Sequence, residues 1–241
     1  MFRRAMTNAP MCHDFAAARI GAKLAGGTEE TGMTTKMLLH WSPRSPYVRK
    51  VLIAAHETGV ADRIETVRTV VAASEPNVEL MKENPQSRLP TLRLPDGTVI
   101  YDSVVICEYF DSLHNGEKLF PARWPERLVA LRRHALGDGM LDTMLMWRAE
   151  VLRPPANQSL KHMQAWRLKT NVSVDMLEEE AEALAASPFS IGHIGIGAAL
   201  GYIDFRFPEL AWRNGHPRLT RWYEAFSARP SVKATEPVDA P

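Results

Sequence analysis

Gln86-Ser87-Arg88-Leu89-Pro90-Thr91-Leu92-Arg93-Leu94-Pro95-Asp96-Gly97-Thr98-Val99-Ile100-Tyr101-Asp102-Ser103 is the stretch whose reading decides the fold. Two short runs of β-favouring residues, Thr91–Leu94 and Thr98–Tyr101, flank Pro-Asp-Gly, which reads as a β-hairpin with Asp96-Gly97 at its tip. Pro90 has no N–H to give a ladder, so it belongs at the entrance of the sheet rather than inside it. An ordinary trans proline at a strand start is one reading. A cis bond is the other, and it would turn Leu89 outward with its N–H and C=O free to pair with a peptide-like ligand.

Upstream, Met37–Trp41 reads as a first strand and Ser42-Pro43-Arg44-Ser45-Pro46 as a loop, at whose end a helix begins. Ser45 is a good N-cap and Pro46 suits the first helical position. Val48, Val51, Leu52 and Ala55 then form an apolar stripe, and Gly59 lies where a stop is expected. Ile64–Arg68 alternates as a second strand, and 77–83 reads as a short helix ended by Asn84-Pro85. After the hairpin, a helix opening at Asp102 or Ser103 carries Ile106, Tyr109, Phe110 and Leu113 on one face. This order defines a small α/β domain with a mixed sheet over 37–114.

A polar linker, 115–122, follows, and beyond it no strand pattern appears. Helices are expected from Arg123 to about Val151, from about Gln158 to Ala186, over 190–205, briefly at 208–212, and through Leu219, Trp222, Tyr223 and Phe226. The segment 123–230 is therefore an all-helical domain, with 231–241 as a tail. Residues 1–36 carry no compact apolar core and read as a disordered extension or an upstream start. They do not read as a signal peptide.

The 241 residues carry 29 basic and 28 acidic side chains, net charge +1, a balance that gives no reason to expect nucleic acid or an anionic membrane as partner. No apolar run approaches the roughly 20 residues that span a bilayer. The two cysteines, Cys12 and Cys107, suggest neither a disulfide framework nor a metal site, and a cytoplasmic setting is expected. His134, His162, His193 and His216 show no metal-ligand spacing. Cys107 lies within the apolar helix and is expected to be buried and inert.

Leu89-Pro90-Thr91-Leu92, Asp102-Ser103 about a dozen residues on, and the helix start Ser45-Pro46-Tyr47 together resemble the cytosolic glutathione S-transferase family, in its Ser-type, bacterial theta-like form. The likeness covers 37 to about 230. It implies a thioredoxin-like N-terminal domain followed by an all-helical C-terminal domain, with glutathione as co-substrate, no metal, a small electrophile as second substrate, and a homodimer.

Under that resemblance Ser45 is the candidate catalytic residue. Its hydroxyl stands at the positive end of a helix, where anions are favoured, and a hydrogen bond from it would help a bound thiol ionise. Ser42 is the alternative, and Tyr47 a weaker one. No Cys lies near 42–47, which argues against thiol–disulfide chemistry through the protein's own sulfur. Asp102 and Ser103 correspond to the pair that grips the γ-glutamyl end, Leu89 beside Pro90 to the backbone that pairs with the cysteinyl part, and Gln86 and Arg88 to the neighbourhood of the glycyl carboxylate. Met140, Met144 and Trp147 share a helix face and are the candidate second-substrate pocket, with bundle core as the competing reading. One departure from the family stands at 190–193. The capping acid is replaced by His193, a poorer acceptor, so a weaker cap is expected. Two other functions fit the same residues: a non-catalytic binding module of this fold, and a glutathione-dependent isomerase or dehalogenase.

Overall fold

The computed structural model describes residues 36–72 and 74–239. The expected N-terminal extension, apart from Lys36, and Cys12 lie outside the described residues. Strand β1 (Met37–Trp41) leads through the 42–45 loop into helix α1 (Pro46–Glu57), then β2 (Ile64–Arg68), β3 (Thr91–Arg93), β4 (Val99–Ile100) and α2 (Ser103–Ser112). The sheet order is β2-β1-β3-β4, with β1 and β2 parallel and the remaining pairs antiparallel. That is the mixed sheet expected for a hairpin added to a β-α-β unit. Where a short helix was expected at 77–83, only a 3-10 turn forms, Leu80–Lys82, with Asn77 Oδ1 accepting from Leu80 N–H.

The helical part contains α3 (Trp124–Val151), α4 (Leu160–Ala186), α5 (Ile191–Arg206), α6 (Pro217–Ser227) and α7 (Pro230–Lys233). Helix α5 is apolar all round and buried along almost its whole length, as an interior helix must be. It is packed chiefly against α3, and small residues set the distance. A Cβ on Gly137 would lie 2.4 Å from the Gly195 carbonyl carbon, so only glycine permits this crossing. Helix α6 buries Leu219, Trp222, Tyr223 and Phe226, the stripe its spacing predicts.

Helix α1 belongs to both halves. It packs on α2 in the α/β part, and on α5 and α7 in the helical part. Glu57 near its C-terminus accepts a paired hydrogen bond from Arg229 (2.9 and 2.7 Å) and another from the Ser231 hydroxyl. Burial opposes the Glu57 charge, yet these donors outweigh it and hold the carboxyl below its ordinary range.

The cap of α5 corrects the expectation for His193. Burial, aided by the fields of Arg133 and Arg229, lowers its pKa to about 4 against the pull of the Leu184 carbonyl, so the ring is neutral. Nε2–H donates to Leu184 O (3.0 Å), which leaves Nδ1 as acceptor for Ser190 N–H (3.2 Å) and the Ser190 hydroxyl (3.0 Å). A histidine held neutral in one tautomer is a competent capping-box partner. The unfolded side chain ionises near pH 6.5, so between that and about 4 the unfolded state binds the extra proton. Stability from this site is complete above pH 6.5 and declines as pH falls, by up to about 1.4 kcal/mol per pH unit. His193→Gln keeps an acceptor but removes the titration. Urea unfolding at pH 7 and pH 5 is expected to show a smaller acid loss in the variant, and an unchanged loss would refute this account.

Candidate active site

The strand registers bring three segments to one end of the sheet. His40 pairs with Thr91, so the loop leaving β1 at Trp41 lies beside the entrance of β3, where Leu89 and Pro90 stand. Leu92 pairs with Ile100, so the chain leaving β4 toward Asp102 ends at the same place. A small cluster of Val48, Leu80 and Leu89 ties the first turn of α1 to the 89–90 segment.

Ser45 is the N-cap of α1, and its Oγ accepts from Val48 N–H at 3.3 Å. A hydroxyl that accepts in this way still has its proton to donate. Ser42 Oγ receives only Arg44 N–H, at 3.4 Å, and its carbonyl accepts from Ser45 N–H. The Tyr47 hydroxyl is committed to Asp142 on α3, and burial, then the Asp142 hydrogen bond and charge, push its pKa far above the ordinary range. It is a donor to a carboxylate, unsuited to a second task at the helix tip.

The Leu89–Pro90 peptide bond is cis, as is Tyr101–Asp102. Neither the N–H nor the C=O of Leu89 has a hydrogen-bond partner among the described residues. The turn before it is shaped by buried Asn84, which donates to Arg88 O (3.2 Å) and Thr91 Oγ1 (2.9 Å) and accepts from Gln86 N–H (3.0 Å). Sequence reasoning took Asn84 only for a helix stop. Asp102 caps α2 through Val104 N–H (3.2 Å) and is exposed, whereas Ser103 is buried at the first helical position. The Gln86 and Arg88 side chains are exposed, and the Arg88 charge is felt at the Tyr47 hydroxyl. The structure thus gathers Ser45, Ser42, Leu89, Pro90, Asp102, Ser103, Gln86 and Arg88 around one end of the sheet.

It does not gather Met140, Met144 and Trp147 there. They are 3 %, 0 % and 7 % exposed, and Trp147 packs on the Phe207 ring at 4.6 Å. The second-substrate pocket expected on them is corrected: this face of α3 is bundle core, because α5 covers it. The α3 residue that does reach the α1 tip is Asp142, through Tyr47.

Lys50 was also missed. Its side chain is 0 % exposed, with Nζ donating to Asp138 Oδ1 on α3 and lying 3.3 Å from His134 Nε2. An ammonium only donates, so Nε2 accepts and the ring is neutral; Asp138 Oδ2, 3.4 Å from the same nitrogen, is an electrostatic neighbour. Burial, then the Lys50 charge, lowers the His134 pKa to about 3. Burial raises Asp138, with Lys50 opposing. A lysine beside the apolar stripe of α1 gives no sequence signal of this partner, 88 residues away. Cys107 is fully buried, and burial pushes its thiol up to about 12. No group of three or more His, Cys, Asp or Glu side chains that could hold a metal exists among the described residues. Nor is any described helix long and apolar enough to cross a membrane.

A thioredoxin-like sheet domain, a helical domain joined to it through α1, and a capped helix tip facing an unpaired backbone segment define a class of two-domain transferase folds. Residues 44–113 match the family model for the glutathione S-transferase N-terminal domain, and residues 164–225 match that for the C-terminal domain. The Escherichia coli K12 uncharacterized GST-like protein YibF is 31 % identical over 206 residues, covering 85 % of this chain and 100 % of that one. A glutathione transferase family member from Pseudomonas fluorescens Pf-5, solved with bound glutathione, is 40 % identical with a TM-score of 0.82, covering 84 % of this chain and 100 % of the other. A second structure of a family member from that strain, with bound S-(propanoic acid)-glutathione, is 40 % identical with a TM-score of 0.78 and the same coverage. The chain belongs to the glutathione S-transferase family.

Proposed function

We propose that this protein binds glutathione and adds its thiolate to a small electrophile, with the Ser45 hydroxyl and the α1 N-terminus stabilising the ionised sulfur. The observation that carries this reading is the pairing of a donor-ready Ser45 hydroxyl at a helix tip with the unpaired Leu89 backbone beside it. The cysteinyl part of glutathione pairs with Leu89, which leaves its sulfur over α1. Asp102 takes the γ-glutamyl ammonium, while the α2 N-terminus and Ser103 take the adjacent carboxylate. Gln86 and Arg88 receive the glycyl end. The bound glutathione in the Pseudomonas fluorescens relative supports glutathione as the ligand. The S-(propanoic acid) conjugate in the second structure supports room for a substituent on sulfur. The protein works as a cytoplasmic homodimer in this reading, and the exposed Leu128, Val129, Leu168 and Val172 supply apolar surface for a second copy to cover.

Calorimetric titration with glutathione, combined with thiolate absorbance across pH, tests the reading. Binding at millimolar concentration or better is expected, with the bound thiol ionising about one unit or more below its free value of about 8.5. Binding without that shift would favour the non-catalytic module, and no binding by an intact fold would end the glutathione reading.

A further inference from the structure

The C-terminal segment returns to the loop that carries both serines. Val238 N–H donates to Pro43 O at 3.2 Å. Asp239 places its carboxylate between two elements: Arg206 at the end of α5 grips both oxygens (3.0 and 3.1 Å), and Arg44, the residue before Ser45, reaches one of them with Nε at 3.0 Å. Arg148 on α3 adds its charge to the same point and, with Arg206, acts on the Tyr202 hydroxyl. Two guanidiniums, from the loop that precedes Ser45 and from α5, therefore meet on one carboxylate, and the Arg148 charge on α3 is felt there. Among the described residues no carboxylate other than Asp239 lies within ion-pair distance of Arg44 or Arg206.

We propose that this arginine cluster is a subsite for a carboxylate on the second substrate, and that Asp239 occupies it in the substrate's absence. The proposal rests on the thiolate reading above and names the substrate class for that site: small electrophiles carrying a carboxylate a few bonds from the attacked carbon. The fork of Arg206 suits a carboxylate in a way a lone ammonium does not. Arg206 is 13 % exposed and fixed, stacked on the Phe205 ring at 3.8 Å, whereas Asp239 is 61 % exposed on a chain end. Exposed ion pairs contribute only about 0–1 kcal/mol, so a substrate carboxylate displaces the Asp239 side chain at little cost. The cluster keeps a surplus of positive charge even with Asp239 in place. An electrophile without an anion leaves that surplus unmatched, so the site selects for acids by electrostatic complementarity.

The test compares S-(4-carboxybenzyl)glutathione with S-(4-methylbenzyl)glutathione, similar in shape and different in charge, by calorimetry on the full chain. Wild type is expected to bind the acid about tenfold more tightly than the neutral conjugate. Arg206→Gln and Arg44→Gln should each reduce that ratio toward one. Asp239→Asn should widen it by about threefold or more, because the resident carboxylate no longer competes. The last variant alters only an exposed side chain and its surface ion pairs, so it reports even if Arg206→Gln fails to fold. A ratio near one in both wild type and Asp239→Asn, or a preference that survives both arginine changes, overturns the subsite and leaves the glutathione reading standing. Failure of glutathione and both conjugates to bind overturns that reading, and the subsite with it.

Discussion

Ser45→Ala is expected to lower kcat/KM about 100-fold toward a simple aryl halide such as 1-chloro-2,4-dinitrobenzene, while the Kd for glutathione changes by less than about threefold. The asymmetry follows from where the hydroxyl acts. In the proposed binding mode glutathione is held along its length by Leu89, Asp102, Ser103 and the Gln86–Arg88 turn, none of which changes. Only the charge on sulfur loses its donor. The thiol should therefore titrate higher in the variant, and part of the lost rate should return as pH is raised, which a merely misfolded protein would not show. The same substitution strips Val48 N–H of its acceptor, at 3.3 Å in the wild type. A fall in stability of about 0.5–2 kcal/mol is expected alongside, as for other lost N-caps. Ser42→Ala serves as the comparison, since Ser42 caps no helix. If Ser42→Ala abolishes turnover and Ser45→Ala does not, the hydroxyl has been assigned to the wrong serine.

Lys50→Met is expected to give the largest stability loss of any single change considered, about 3 kcal/mol. Lysine and methionine are close in length and fill the same channel, so packing is nearly conserved. What remains is Asp138, its carboxylate largely buried and without the ammonium that faced it. The expected readout is a lower urea midpoint with an unchanged m-value. Lys50→Met combined with Asp138→Leu should recover much of the loss, since removing both charges is far less costly than removing one. A loss below about 1 kcal/mol in the single variant, or no recovery in the double one, would show that the pair contributes little to joining α1 and α3.

The sheet domain was legible because its signals are local. Pro90 can stand only at a strand entrance or edge, Asp96-Gly97 can close a tight hairpin, and Ser45-Pro46 can open a helix. Each rests on the backbone chemistry of two or three neighbouring residues. The same holds for α6, whose four aromatic and aliphatic side chains fall on one face at helical spacing. The caps and strand entrance proposed to meet glutathione were legible as local structure for a related reason: each is set by neighbouring residues, and the strand registers bring them to one end of the sheet.

Helix faces were less legible. The stripe of Met140, Met144 and Trp147 looks the same in sequence whether it lines a pocket or a core. The small residues of α5, with the Gly137–Gly195 contact, settle it by drawing that helix flush against α3. His193 misled in a similar way, since acceptor strength was judged from its solution chemistry. Burial and the Leu184 carbonyl together fix the neutral tautomer that makes it a good cap.

The amino-acid sequence by itself determined the order of elements, the two-domain division into sheet and helices, and the positions of the capped helix tip and the proline-marked strand entrance. Only the tertiary structure decided which face of α3 is core, that Lys50 meets Asp138 across the two halves, and that Asp239 comes back over the loop before Ser45. The physical reason is separation along the chain. Caps, turns and periodicity are set within a few residues, whereas desolvation and ion pairing depend on groups brought close only when α1, α3 and α5 pack together.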